Sequence, residues 1–118
     1  MRAIKFRCWS GERMISPDYV DRDGVAHWKE NSIPESSTNV MLWTGLKDKH
    51  GVEIYEGDII EKMSWIGWCD KCCSFELFFV GFGCAGCEDG EKWWETVEAK
   101  GKLEVLGNIY ENPELLES

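Results

Sequence analysis

Apolar and polar residues alternate near the amino terminus, a pattern that predicts a half-buried β-strand over residues 4–8. Ile4, Phe6 and Cys8 occupy every second position, so their side chains would face the same side of an extended strand. We therefore interpret Cys8 as a small residue of the core rather than as a metal ligand.

Further strands are predicted where Val, Ile, Phe, Trp and Thr are concentrated. They cover residues 40–44, 52–55, 57–63, 74–80, 92–99 and 103–106. A hairpin turn is predicted at Asp23-Gly24, whereas residues 30–39 lack a periodic apolar face and are predicted to form a loop. The tail has helical features, because Asn112 can cap a helix in which Pro113 takes the first position.

The composition is that of an ordinary globular domain. The 118 residues are 43% hydrophobic and 30% charged, their net charge is −9, and no apolar run is long enough to span a bilayer. Charged side chains interrupt residues 1–7, which is not the pattern of a signal peptide, so we expect a cytosolic protein that does not contact a membrane. The acidic balance also disfavours a surface that grips nucleic-acid phosphates.

The chain carries a heavy aromatic load, with seven Trp and five Phe residues. The neighbours Phe78-Phe79 and Trp93-Trp94 would point to opposite faces of a strand. Either both faces of the sheet are then covered, or some of these rings are exposed. Exposed rings without basic surroundings favour a protein interface over base stacking.

Two C-x-x-C pairs are the strongest chemical signal in the sequence. Cys69 and Cys72 form the first pair, Cys84 and Cys87 form the second, and eleven residues separate them. This spacing is typical of zinc ribbons, in which four thiolates surround the metal at about 2.3 Å. A closed shell of four thiolates leaves no position for a substrate water, so we predict that the zinc is structural.

Three alternatives to this ligand set stay open at this point. Cys73 is a competing thiol that can replace Cys72, iron uses the same four-thiolate cage, and the cysteines can simply be reduced thiols without metal. Metal-binding turns often carry glycine after the second cysteine, because that position adopts a positive φ, but here Cys73 and Glu88 follow the two pairs.

No set of residues forms a recognisable catalytic motif, and we expect neither catalytic residues nor enzymatic activity. His27 and His50 are the only histidines, and their neighbours indicate surface or packing roles. A group of acids offers a weaker alternative, an enzyme that uses a divalent ion, although turns and strand ends explain them equally well. These acids are Glu53, Glu56, Asp58 and Glu61.

Three strings resemble sequences of a known family: IKFRCW over residues 4–9, TGLKDKHGVEIYEGDII over residues 44–60, and GNIYENPELL over residues 107–116. They resemble the YopX-like family of small phage and prophage proteins. The resemblance implies an all-β fold, a small barrel-like or two-layer domain over residues 1–118, in a bacterial host's cytoplasm. Residues 65–94 depart from the simpler members and are predicted to be a zinc-ribbon-like insertion.

The resemblance implies no established activity, so the function expected from the sequence is general. We favour a non-enzymatic accessory protein that binds a phage or host protein and carries a structural metal site. The alternative is a nucleic-acid-binding protein, or an acidic regulator that imitates DNA and occupies a DNA-binding partner. Homo-oligomers are also plausible, because small β-domains have strand edges to cover.

Overall fold

Short β-strands dominate the computed structural model, which describes residues 4–89 and 103–117. The predicted all-β class is therefore confirmed. Contacts between residues divide the chain into two compact units, Met1–Trp43 and Thr44–Ser118. The single domain with an insertion at residues 65–94 stays a prediction. The strand predicted over residues 92–99, including Trp93-Trp94, lies outside the described residues.

The first unit contains one sheet of three short strands and part of another sheet. The strands are β1 (Phe6–Trp9), β2 (Met14–Ile15), β3 (Tyr19–Val20), β4 (Ala26–Glu30), β5 (Ile33–Ser37) and the start of β6 (Val40–Lys47). β1 pairs antiparallel with both β2 and β6, and β4 lies between β3 and β5.

Cys8 lies in the hydrophobic core of this unit, as predicted. It is fully buried and packs with Ile15, Ala26 and Trp28. Burial also raises the pKa of the Cys8 thiol, which favours its neutral form. The prediction that Ile4 and Phe6 share this buried face is wrong, since both are exposed. Ile4 precedes β1 and Phe6 is its first residue, so the strand's buried part begins only after them.

The hairpin predicted at Asp23-Gly24 is confirmed, since it joins β3 and β4. Gly24 has a φ of 82°, a value that costs glycine little, and its N–H donates to the carbonyl oxygen of Asp21. The Asp21 carboxylate also accepts hydrogen bonds from the N–H groups of Asp23 and Val25.

The loop predicted over residues 30–39 is wrong, because β5 forms there and pairs with β4. Asn31 and Ser32 form a two-residue turn with φ values of 51° and 69°, which suits a tight hairpin. Pro34 is compatible with this strand at the edge of its sheet. Most β5 side chains are exposed, so the strand has no apolar alternation that a sequence pattern could detect.

The second unit begins within β6 and contains the remaining elements. They are β7 (Glu53–Tyr55), β8 (Asp58–Ile59), β9 (Ser64–Cys69), β10 (Ser74–Phe79), β11 (Gly83–Cys84), α1 (Ala85–Asp89), β12 (Gly107–Asn108) and a 3-10 helix (Pro113–Leu116). β7 lies beside β6, β8 pairs with β12, and β10 is the centre of a β9-β10-β11 sheet. Ile54, Ile59 and Ile66 are fully buried in this unit.

The end of the chain differs from the prediction in two details. Residues 103–106 form no strand, although Leu103 and Leu106 make single backbone hydrogen bonds to Lys49 and Ile59. The predicted short helix is present as the 3-10 helix, with Asn112 at its N-cap position. The Asn112 side chain does not cap that helix but accepts a hydrogen bond from the N–H of Asn108 at 3.2 Å.

Candidate metal centre

The first cysteine pair lies at the turn that joins β9 to β10. Cys69 is the last residue of β9 and pairs with Ser74, the first residue of β10. Between them the chain turns tightly, and Cys73 adopts a positive φ of 53°. The turn therefore has the backbone conformation that metal-binding turns need at this position, even though the residue is not glycine.

The second cysteine pair spans the junction of β11 and α1. Cys84 ends β11, Cys87 lies within α1, and the helix continues through position 88, so this turn needs no positive φ after its second cysteine. Gly86 packs against Glu76, a carboxylate that is 1% exposed. A Cβ at position 86 would lie 2.7 Å from Glu76 Oε1 and 3.4 Å from Cys72 Sγ, so only glycine fits without displacement.

The four predicted cysteines come together in one group, the thiol cluster of Cys69, Cys72, Cys84 and Cys87. Their Sγ atoms all lie within 4.8 Å of one another. Cys69 and Cys87 are separated by 3.5 Å, Cys72 and Cys87 by 3.6 Å, and Cys72 and Cys84 by 3.8 Å. Sulfurs bound tetrahedrally to zinc at the usual distance are about 3.8 Å apart, so the donor set fits such an ion.

The thiols in this cluster influence one another's protonation. A hydrogen bond with the backbone of Cys72, together with hydrogen bonds from the other cluster thiols, lowers the pKa of Cys69 to about 7 against the effect of burial. Burial and the neighbouring sulfurs raise the pKa of Cys72. The pKa of Cys87 is raised chiefly by the hydrogen bond between its own thiol and that of Cys69. In the absence of a cation, Cys69 is thus the thiol that ionises readily, whereas Cys72 and Cys87 resist ionisation.

Cys73 does not belong to the thiol cluster. Its exposed Sγ lies 3.2 Å from the carbonyl oxygen of Asp70, and Cys72 supplies the clustered sulfur of the first pair. Of these two neighbouring cysteines, Cys72 is therefore the one that lies with Cys69, Cys84 and Cys87.

The histidines form pairs with acids elsewhere on the chain. His27 Nε2 lies 2.8 Å from Asp21 Oδ2, and His50 Nε2 lies 3.1 Å from Glu104 Oε1. Each pair leaves its side chains at least 30% exposed, as expected for surface residues.

The acids between residues 53 and 61 do not assemble into a second metal site. Asp58 is buried, and its Oδ2 accepts a hydrogen bond from the N–H of Tyr55 at 2.8 Å. Within residues 4–89 and 103–117, the thiol cluster is the only group of three or more potential metal-binding side chains.

Two buried acids have structural roles that the sequence analysis missed. Glu76 lies beneath Gly86 and accepts a hydrogen bond from the Ser74 hydroxyl. Asp48 accepts three backbone hydrogen bonds, from His50, Val52 and Val105. Asp48 lies in the polar turn between Gly45 and Gly51, and this position could have indicated its role. Aspartate side chains in turns often accept hydrogen bonds from nearby backbone N–H groups.

Exposed aromatic rings surround the thiol cluster. Trp68 is 48% exposed and Phe82 is 61% exposed, which answers the question of whether some rings of this region reach solvent. Both rings line an open cleft of about 470 Å³ together with Cys69, Cys84 and Cys87. Within the described residues, no helix is long and apolar enough to span a membrane.

The comparisons with known proteins agree with the resemblance seen in the sequence. Residues 5–117 match the family described as YopX protein. The crystal structure of protein EF1440 from Enterococcus faecalis is similar, with a TM-score of 0.63 and 25% identity over 99% of this chain and all of that chain. No curated protein matches the chain. Because the family match covers nearly the whole sequence, this chain belongs to the YopX protein family.

Proposed function

We propose that this protein is a non-enzymatic binding protein whose aromatic surface is supported by a structural zinc site. The observation that carries the proposal is the thiol cluster, in which four cysteines from two turns place their sulfurs at the spacing of a tetrahedral metal site. Four thiolates complete the coordination of zinc and leave no position for a reacting water. The role of such an ion is to stabilise the fold.

The arrangement of the surface supports a binding role. Trp68 and Phe82 are exposed beside the cluster, and large exposed rings are enriched where proteins meet. The net charge of −9 favours a basic partner over the phosphates of a nucleic acid. Family membership supports an accessory role for a phage- or prophage-encoded protein in the cytoplasm of a bacterial host, with a phage or host protein as the partner.

Elemental analysis of the full chain, purified under reducing conditions, tests the metal site. We expect about one zinc per chain, since the four sulfurs fill one tetrahedral shell. The double variant Cys69→Ser/Cys84→Ser removes one ligand from each turn and should lose the metal. Cys73→Ser is the matched control, because that thiol is exposed and outside the cluster.

Two results would contradict the proposal. The first is a wild-type protein that contains no metal and is only as stable as the double variant. The cysteines would then be reduced thiols without a metal-binding role. Iron in place of zinc would keep the tetrathiolate site but give the protein the visible absorption of an iron–thiolate centre.

A further inference from the structure

The cleft beside the thiol cluster combines aromatic walls with sulfur atoms. Its lining residues include three aromatic residues, three of the four clustered cysteines and two charged residues, namely Trp68, Phe78, Phe82, Cys69, Cys84, Cys87, Asp70 and Lys71. Its volume of about 470 Å³ suits a side chain or a short peptide segment rather than a folded surface.

Local contacts hold the Trp68 ring in place at this cleft. Its indole N–H donates a hydrogen bond to Asp70 Oδ1 at 3.1 Å. The Phe75 ring lies edge-on to it, with ring centroids 5.2 Å apart. A ring fixed from two sides loses little conformational freedom when a ligand binds to it.

The Phe82 ring is presented by a tight turn between β10 and β11. Gly81 and Gly83 flank it with φ values of 76° and 99°, and the Phe82 N–H donates to the carbonyl oxygen of Phe79. Residues other than glycine adopt such φ values only with strain, so this turn fixes where the ring emerges. The sequence Gly-Phe-Gly therefore places an exposed ring at the cleft.

A metal ion bound at the thiol cluster would determine the charge of the cleft. Four thiolates around a divalent ion carry a net charge of −2, and the opposite charges of Asp70 and Lys71 offset each other. The face of an aromatic ring also attracts cations. An anionic sulfur cluster between aromatic rings thus favours a cationic ligand and disfavours phosphates.

We propose that this cleft binds an arginine side chain from a basic segment of a partner protein. Guanidinium is planar and weakly hydrated, so it stacks on aromatic rings more readily than an ammonium group does. Its N–H donors suit the thiolate sulfurs that line the cleft. This inference rests on the proposed function, because the cluster carries its net charge of −2 only when four thiolates hold a divalent metal ion.

Isothermal titration calorimetry of the zinc-loaded full chain tests this inference. The probe is the synthetic peptide acetyl-Gly-Arg-Gly-Arg-Gly-amide, and the matched neutral peptide has citrulline at both arginine positions. We expect the arginine peptide to bind with one-to-one stoichiometry and the citrulline peptide to bind at least tenfold more weakly.

Variants of the cleft separate specific binding from general attraction to an acidic protein. Trp68→Ala and Phe82→Ala should each weaken peptide binding roughly five- to thirtyfold at unchanged zinc content. Tyr19→Ala removes an aromatic side chain that is 60% exposed in the first unit and should leave the affinity unchanged.

Three outcomes would overturn the inference. Equal affinity of the wild-type protein and both cleft variants would show that binding is not at this site. Binding of single-stranded oligothymidine that depends on Trp68 would assign the cleft to nucleic-acid bases. A zinc-loaded protein that does not bind the peptide refutes this inference alone, whereas a chain that binds no zinc refutes the proposed function as well.

Discussion

Gly86 lies directly against the buried carboxylate of Glu76, and the space between them does not admit a methyl group. A Cβ at position 86 would be 2.7 Å from Glu76 Oε1 and 3.0 Å from its Cδ atom. Glu76 is 1% exposed, so a shift of its carboxylate would disturb the buried groups packed around it. Glu76 of β10 thereby limits how closely the turn that carries Cys84 and Cys87 can approach Cys69 and Cys72.

Gly86→Ala should weaken zinc binding because the added methyl group pushes α1 away from β10. Overpacking of this kind costs about 1–3 kcal/mol. Competition with a chromophoric chelator measures the loss as a lower zinc affinity. The double variant Gly86→Ala/Glu76→Ala removes the obstructing carboxylate and should recover part of that affinity. Equal affinities of Gly86→Ala and the wild-type protein would contradict this account.

Removing zinc with a chelator should loosen the β9-β10-β11 sheet and α1 but preserve the core around Cys8. Structural zinc contributes free energy on the order of 10 kcal/mol in small zinc domains, and here the four clustered cysteines all lie between residues 69 and 87. Hydrogen exchange should show lost amide protection in β9 and β10, with β4 unchanged as the internal control. Unchanged protection in β10 would argue against a structural metal.

The sequence was most informative where chemistry depends on spacing. Two C-x-x-C pairs identified the thiol cluster, because each tight turn can present two sulfurs and the intervening strand returns the chain. Asp23-Gly24 identified its hairpin for a similar reason, since few residues adopt its backbone conformation without strain. Such local constraints do not depend on the remainder of the fold.

Features that depend on strand pairing or side-chain packing rather than on motif spacing were not predictable in this way. β5 is polar and exposed, and it is a strand because β4 supplies its hydrogen-bonding partner. The role of Glu76 under Gly86 also depends on tertiary packing, and an isolated glutamate within a strand gives no indication of it. Only the geometry of the turn shows that Cys72, and not Cys73, lies in the thiol cluster.

Asp48 should stabilise the second unit in a pH-dependent manner. Burial opposes its ionisation, but the N–H groups of Val105, Val52 and His50 donate to its carboxylate and lower its pKa overall. A group whose pKa is lower in the folded state stabilises the fold above its unfolded-state pKa, near 4. This contribution is lost as the pH falls through the lowered folded-state value.

Asp48→Asn tests this pH dependence, because the amide keeps one acceptor oxygen and cannot ionise. We expect a loss of about 1–3 kcal/mol at pH 7, where one buried N–H loses its acceptor. The difference between wild type and variant should shrink as the pH approaches 2. Urea unfolding at several pH values measures it, and a constant difference across that range would contradict the role assigned to the Asp48 charge.

The β4-β5 turn offers a substitution that should stabilise the protein. Ser32 holds a φ of 69°, in the left-handed region that costs a residue with a Cβ roughly 1–2 kcal/mol. Ser32→Gly removes this cost and gives the Asn-Gly pair that two-residue hairpins favour. Because glycine also gains freedom in the unfolded chain, we expect a net gain of about 0.5–1 kcal/mol in the free energy of unfolding.

Urea unfolding of Ser32→Gly should show a higher midpoint than that of the wild type. Ser36→Gly, within the regular part of β5, is the control and should lower the midpoint. A lower midpoint for Ser32→Gly would show that the serine side chain stabilises this turn by more than its backbone conformation costs.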